Sequence, residues 1–296
     1  MYSVWVKLPV IVRALLAGMT VAVAGTTPWA LLVSANLEHW PTVPWAVPPT
    51  ALMLWLYWRY LRGEGWPAAT AAARRESCRA NRVPDDGWGM AIFAGMLGLL
   101  ALVLFLNVVN RLVRLPAQQM GDVSRVPVLT LFIFLIMSAI VAGVVEEAAF
   151  RGYMQGPLER RHGPTLAILV TGTSFGFLHF SHPEVTMALL PYYMAVAAVY
   201  GALAWLTNSI YPSMLLHAGG NVFSSLGLLS TGRGEWQASA KPMPLIWETG
   251  TDADFWTAVI IALVAGGAAV WAYAGLAAVR RTPSEAFVEQ PASTET

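Results

Sequence analysis

The chain has 296 residues, of which 56% are hydrophobic and 12% charged, with a formal net charge of +1 and a single cysteine. Water-soluble domains carry about 25% charged residues, so composition excludes an ordinary soluble protein. A near-neutral balance offers no concentrated basic surface for nucleic acid, and Cys78 has no partner for an internal disulfide.

Crossing roughly 30 Å of hydrocarbon takes about 20 mostly apolar residues in a helix. Eight stretches bounded by charge, Pro or polar clusters meet that requirement: 14–35, 43–60, 89–110, 127–155, 164–180, 185–206, 209–229 and 255–279. They predict an all-α, polytopic membrane protein, a single integral-membrane domain over residues 1–281 with its catalytic core at 127–229. The seventh stretch is the most polar, with Ser213, His217, Asn221, Ser224 and Ser225, and a helix of that kind must face other helices. The tail 282–296, rich in Ser, Thr, Glu and Pro, reads as disordered.

Assigning loops alternately to the two sides puts 13 of the 18 Lys and Arg residues on the side of the N-terminus. Basic residues collect in the cytoplasm, so both termini are expected there, in a multi-pass protein of a bacterial inner membrane. Ala22-Val23-Ala24 resembles a signal-peptide cleavage site, but an uncleaved first helix keeps the number of crossings even. The loop cluster Arg74, Arg75, Arg79 and Arg82 reads as an orientation signal in contact with lipid headgroups. Most of the tryptophans, among them Trp29, Trp40 and Trp247, read as an interfacial belt. The segment 230–254 is long enough to cover the opposite mouth and reads as a passive surface loop.

Ionisable groups at bilayer depth are costly and mark function by default. Inside the spans they are Glu146, Glu147 and Arg151 on the fourth helix, His179 on the fifth, and His217, with the amide of Asn221, on the seventh. Successive helical residues turn by about 100°, so Glu146 and Glu147 diverge, while Glu147 and Arg151, four apart, share a face. Arg151 is therefore expected to neutralise Glu147 and stiffen the helix, leaving Glu146 free as a base. Phe175 with His179, and His217 with Asn221, are also four apart, and each pair shares a face. At about 1.5 Å per residue from the cytoplasmic breaks, Glu146 lies about 16 Å deep, His179 about 22 Å and His217 about 13 Å, depths that permit one shared cavity.

A base that activates water, with donors for an oxyanion, is what peptide-bond hydrolysis needs. Two imidazoles and a carboxylate, His179, His217 and Glu146, are equally a ligand set for Zn²⁺. His182, three residues after His179 and next to Pro183, reads as a loop residue, and Glu184 shares that surface.

Three motifs carry a resemblance that composition does not. Glu146-Glu147-Ala148-Ala149-Phe150-Arg151 fits Glu-Glu-x-x-x-Arg, Phe175 to His179 fits Phe-x-x-x-His, and His217 to Asn221 fits His-x-x-x-Asn. In order and helix placement the segment from Glu146 to Asn221 resembles the CPBP family, the CAAX prenyl proteases and bacteriocin-processing enzymes also called the Abi family. The resemblance implies an intramembrane endopeptidase acting on a membrane-associated or lipidated protein or peptide. It assigns Glu146 and His179 to activating water, and His217 and Asn221 to the substrate carbonyl or a metal. The family is described both as metal-dependent and as glutamate-dependent, and the residues here do not choose. The rival readings are a non-catalytic scaffold or bacteriocin-immunity protein on the same fold, and a transporter with a buried proton relay.

Overall fold

A computed structural model describes residues 5, 7–118, 123–182 and 185–281. The tail 282–296, with Pro183 and Glu184, lies outside the described residues. The helices are α1 (Val10–His39), α2 (Val47–Leu61), α3 (Ala71–Cys78), α4 (Asp85–Leu112), α5 (Val128–Glu146), α6 (Gln155–His162), α7 (Pro164–His179), α8 (Leu190–Thr207), α9 (Tyr211–Thr231), the single turn α10 (Ile246–Thr249) and α11 (Ala253–Arg281). Among the described residues there is no strand. Each of the eight apolar stretches has its helix. Among the described residues, five helical segments are both long and apolar enough to cross a membrane: Val10–His39, Gly87–Leu112, Val128–His162, Met187–Thr207 and Ala253–Val279. Helices α2 and α7 are shorter, with 15 and 16 residues.

The fourth stretch departs from a plain α-helix. Residues Glu147–Met154 form a π-helical segment that joins α5 to α6 without a break. Single π turns inside α-helices recur at functional sites, because the i→i+5 pattern re-aims side chains over one turn. Here the π segment carries Glu147 and Arg151.

Close approach around it depends on residues without bulk. A Cβ on Gly18 of α1 would sit 3.0 Å from Ala149 O and 2.7 Å from the Met154 side chain. A Cβ on Gly143 of α5 would lie 3.0 Å from both Met214 O and the Ala218 Cβ of α9. Gly143 lies one turn before Glu146 and Glu147, and Met214 and Ala218 bracket His217, so this contact sets the spacing between the acids and the imidazole. Such small-residue seams let backbones pack where lipid supplies no hydrophobic drive.

Three surroundings differ from the sequence reading. Arg74 and Arg79 do not lie against headgroups; they are buried. Arg74 donates to Tyr60 O and Pro67 O, and Arg79 donates to Arg151 O and Ala204 O while pairing with Glu159 at 3.1 Å. A guanidinium has five donors in a fixed fork, which suits it to gather orphan carbonyls at helix ends. Trp29 is not interfacial; it is buried in the bundle and donates to Ser138 Oγ. The segment 230–254 is anchored as well. Trp236 is buried and donates to Pro116 O, Glu235 N–H donates to Gln118 Oε1, and Arg111 donates to Pro244 O and Asp252. Its indole and backbone need partners away from water, and α4 with the strand of chain after it supplies them.

Candidate active site

The π segment, α7, α8 and α9 bring four of the motif side chains around one aromatic centre. Glu147 and Arg151 are fully buried, with Arg151 Nη1 3.0 Å from Glu147 Oε1. A buried ion pair needs its other polar atoms partnered. Here that is only partly met: Arg151 Nη2 donates to Ala197 O at 3.4 Å and the guanidinium lies over the rings of Phe175, at 5.0 Å, and Tyr200, at 5.3 Å, while Arg151 Nε and Glu147 Oε2 have no hydrogen-bond partner.

Glu147 also holds His217. Paired with Arg151, the carboxylate is an acceptor only, so its 2.8 Å contact with His217 Nδ1 makes that nitrogen the donor. The opposite edge of the imidazole, Nε2, is then turned to Glu146, whose Oε2 lies 3.7 Å away. That is too long for a hydrogen bond. Glu146 Oε2 is buried and has no hydrogen-bond partner. The two acids diverge, and both still meet His217, because the ring nitrogens lie on opposite edges. The Glu147–His217 contact spans 70 residues and no local periodicity announces it.

His179 also packs against Phe175. Its Nδ1 is 2.8 Å from Phe175 O, and a carbonyl only accepts, so Nδ1 is the donor and Nε2 is free. The Phe175 ring is 4.5 Å from the His179 ring and 6.1 Å from the His217 ring, and so neighbours both. Glu146 thus has His217 as its nearest imidazole, and His179 makes no hydrogen bond to either acid. Asn221 is half-buried one turn beyond His217 and has no hydrogen bond among the described residues. His182 is exposed, with its ring 6.4 Å from His179. Among the described residues no three His, Cys, Asp or Glu side chains are grouped so as to hold a metal ion. The donor chemistry for zinc is present, but the set Glu146, His179 and His217 does not converge on one point.

Two tyrosines missed in the sequence complete the walls. Tyr193 stacks on His179 at 4.2 Å, and Tyr200 stacks on His217 at 5.0 Å with the planes 15° apart. With Ala197 between them they follow an i, i+4, i+7 spacing on α8, a signal present in the chain but indistinguishable there from packing. Cys78, outside the spans on α3, is buried and its thiol is pushed up to about 12 by that burial, which leaves it no role as a nucleophile.

Taken together, the chain is a polytopic, all-helical membrane bundle in which two acids flank one buried imidazole. Residues 128–223, about a third of the chain, match the family model Rce1-like, described as type II CAAX prenyl endopeptidase Rce1-like. That match covers all three motifs and agrees with the resemblance that they carry. No curated protein and no solved structure matches the chain.

Proposed function

We propose that the chain is an intramembrane endopeptidase in which Glu146 activates water to cleave a peptide bond of a membrane-associated substrate. The observation that carries this reading is the buried, unpartnered Oε2 of Glu146, 3.7 Å from His217 Nε2. One water can hydrogen-bond to both atoms at that separation. Glu146 accepts the water proton as hydroxide adds to the scissile carbonyl carbon. The side-chain NH2 of Asn221 donates to the developing oxyanion, and the C–N bond breaks as Glu146 returns the proton to the leaving nitrogen. Glu147 and Arg151 act as positioning residues, since they fix the tautomer and orientation of His217. No step is routed through a metal, because the three candidate ligands are not grouped.

An apolar cavity of about 440 Å³ supports a substrate delivered from the lipid. It lies between α4, α8 and α9, is walled by Leu99, Leu106, Val196 and Phe223, and reaches Tyr200, the ring stacked on His217. We place both termini in the cytoplasm, on the strength of the basic bias alone.

The test uses the full chain reconstituted in liposomes with a membrane-inserted reporter peptide, comparing the protein with its Glu146→Gln variant. Removing a general base costs about 10²–10⁴ in rate. Cleavage is expected to fall by that factor while elution volume and unfolding stay unchanged; full residual cleavage refutes the assignment.

A further inference from the structure

The basic end of the bundle holds a second cavity, which none of the proposed catalytic residues line. It measures about 440 Å³ and is lined by Arg13, Arg160 and Arg161 together with Ser77, Tyr153 and an apolar floor that includes Ala14. Arg13 belongs to the first turn of α1, and Arg160 and Arg161 to the last turn of α6. These are the ends of two membrane-spanning segments, at the level where phospholipid phosphates lie. Arg160 is paired with Glu76 at 3.3 Å. Arg13 and Arg161 have no ion-pair partner among the described residues, and Arg13 Nε is buried without a hydrogen-bond acceptor.

A buried guanidinium N–H without an acceptor is costly, so this one points to a ligand that supplies the oxygen. With one arginine of three neutralised, the cavity keeps an excess of two positive charges. A phosphate suits that arrangement, because guanidinium forks bind it through paired N–H···O bonds. The apolar floor and the exposed Trp5 at the rim extend the site toward hydrocarbon. We propose that this cavity binds the headgroup of an anionic phospholipid from the leaflet at the basic end, with Arg13 and Arg161 on the phosphate and the acyl chains leaving along α1. Basic pockets between membrane helices favour such lipids over neutral ones by charge. Tyr153, which lines the cavity, stands on the π segment that also carries Glu147, so the bound lipid would brace the outer side of the catalytic helix.

The experiment titrates the full chain in neutral detergent against phosphatidylglycerol labelled on an acyl chain, read by fluorescence anisotropy. Unlabelled phosphatidylcholine, phosphatidylglycerol and inorganic phosphate serve as competitors. The expected result is saturable binding, displaced by phosphatidylglycerol and not by phosphatidylcholine or phosphate at equal concentration. Arg13→Gln combined with Arg161→Gln should weaken it at least about tenfold, the loss expected for a charge-assisted hydrogen-bonded contact. Arg75→Gln, an exposed arginine on α3 outside the cavity, should leave it unchanged. Should the double variant fail to fold, Arg161→Gln alone, at an exposed position, is expected to weaken binding several-fold. Equal affinity in the cavity variants, or equal competition by phosphatidylcholine, overturns the proposal. Displacement by inorganic phosphate alone reassigns the cavity to a soluble anion and overturns the lipid. Because the readout is lipid binding, the result does not depend on whether the chain cleaves peptides.

Discussion

Substituting Glu147 with Leu strands the Arg151 guanidinium in a position with no solvent access. Removing one partner of a buried ion pair costs about 3–5 kcal/mol, since the remaining charge keeps its desolvation penalty without its compensation. Arg151→Met leaves Glu147 with His217 alone and should cost a similar amount. The double variant removes both charges and keeps apolar volume, which by itself is close to neutral. What remains is the His217 Nδ1–H without its acceptor, at about 1–3 kcal/mol. The double variant should therefore be more stable than either single one, with a coupling far above the roughly 0.5 kcal/mol within which independent sites add. Reversible unfolding in mixed micelles by titration with a denaturing detergent measures all four corners of the cycle. Additive losses, or a single substitution costing under about 1 kcal/mol, would refute the view that the pair is a closed unit inside the bundle.

Three further outcomes are expected. Gly143→Val pushes a side chain into Met214 O and Ala218 Cβ, each already 3.0 Å from the first added carbon, so it should separate α5 from α9; cleavage should fall at least about tenfold even where the protein still inserts, as expected when a catalytic group is misplaced by about 1 Å. Asp252 accepts from Arg111 and caps α11 through Phe255 N–H, and the hydrogen bond from Arg111 holds its carboxyl below the ordinary Asp range. A lowered carboxyl contributes stability that is present above its unfolded value of about 3.9 and is lost as pH falls through the lower folded value. Protease nicking of segment 230–254 should accordingly rise only in acid, and Asp252→Asn should nick readily at neutral pH too. Incubation with a zinc chelator should leave the Glu146-dependent cleavage in place; loss of activity restored by Zn²⁺ would move water activation from the carboxylate to a metal.

Much of the helical layout can be read from the chain, because apolar run length and the placement of Pro and Gly are local properties. Proline opens α7 and lies in the first turn of α9, Gly163 with a φ of 81° separates α6 from α7, and Asn208 ends α8 in the left-handed region that short polar side chains tolerate. The i, i+4 spacing of Glu147 and Arg151 likewise places them on one face, and their side chains stand 3.0 Å apart. The π segment is not legible, since nothing in the order of residues distinguishes it from the α-helix on either side. Nor is the burial of Arg79, which sits in a basic cluster indistinguishable from a headgroup-binding loop until Arg151 O and Ala204 O are seen to surround its guanidinium.

From the residues alone came the membrane bundle, the polar groups confined to three helices and the family they resemble, because apolar length and intramembrane charge are energetically too expensive to occur without cause. Which imidazole faces which acid was settled only in three dimensions. That choice depends on how far each helix is rotated about its own axis, and the rotation follows from where Gly143 admits α9 and where Gly18 admits α1, contacts between residues far apart in the chain. Periodicity says which side chains share a face; only the packing of those faces says what they meet.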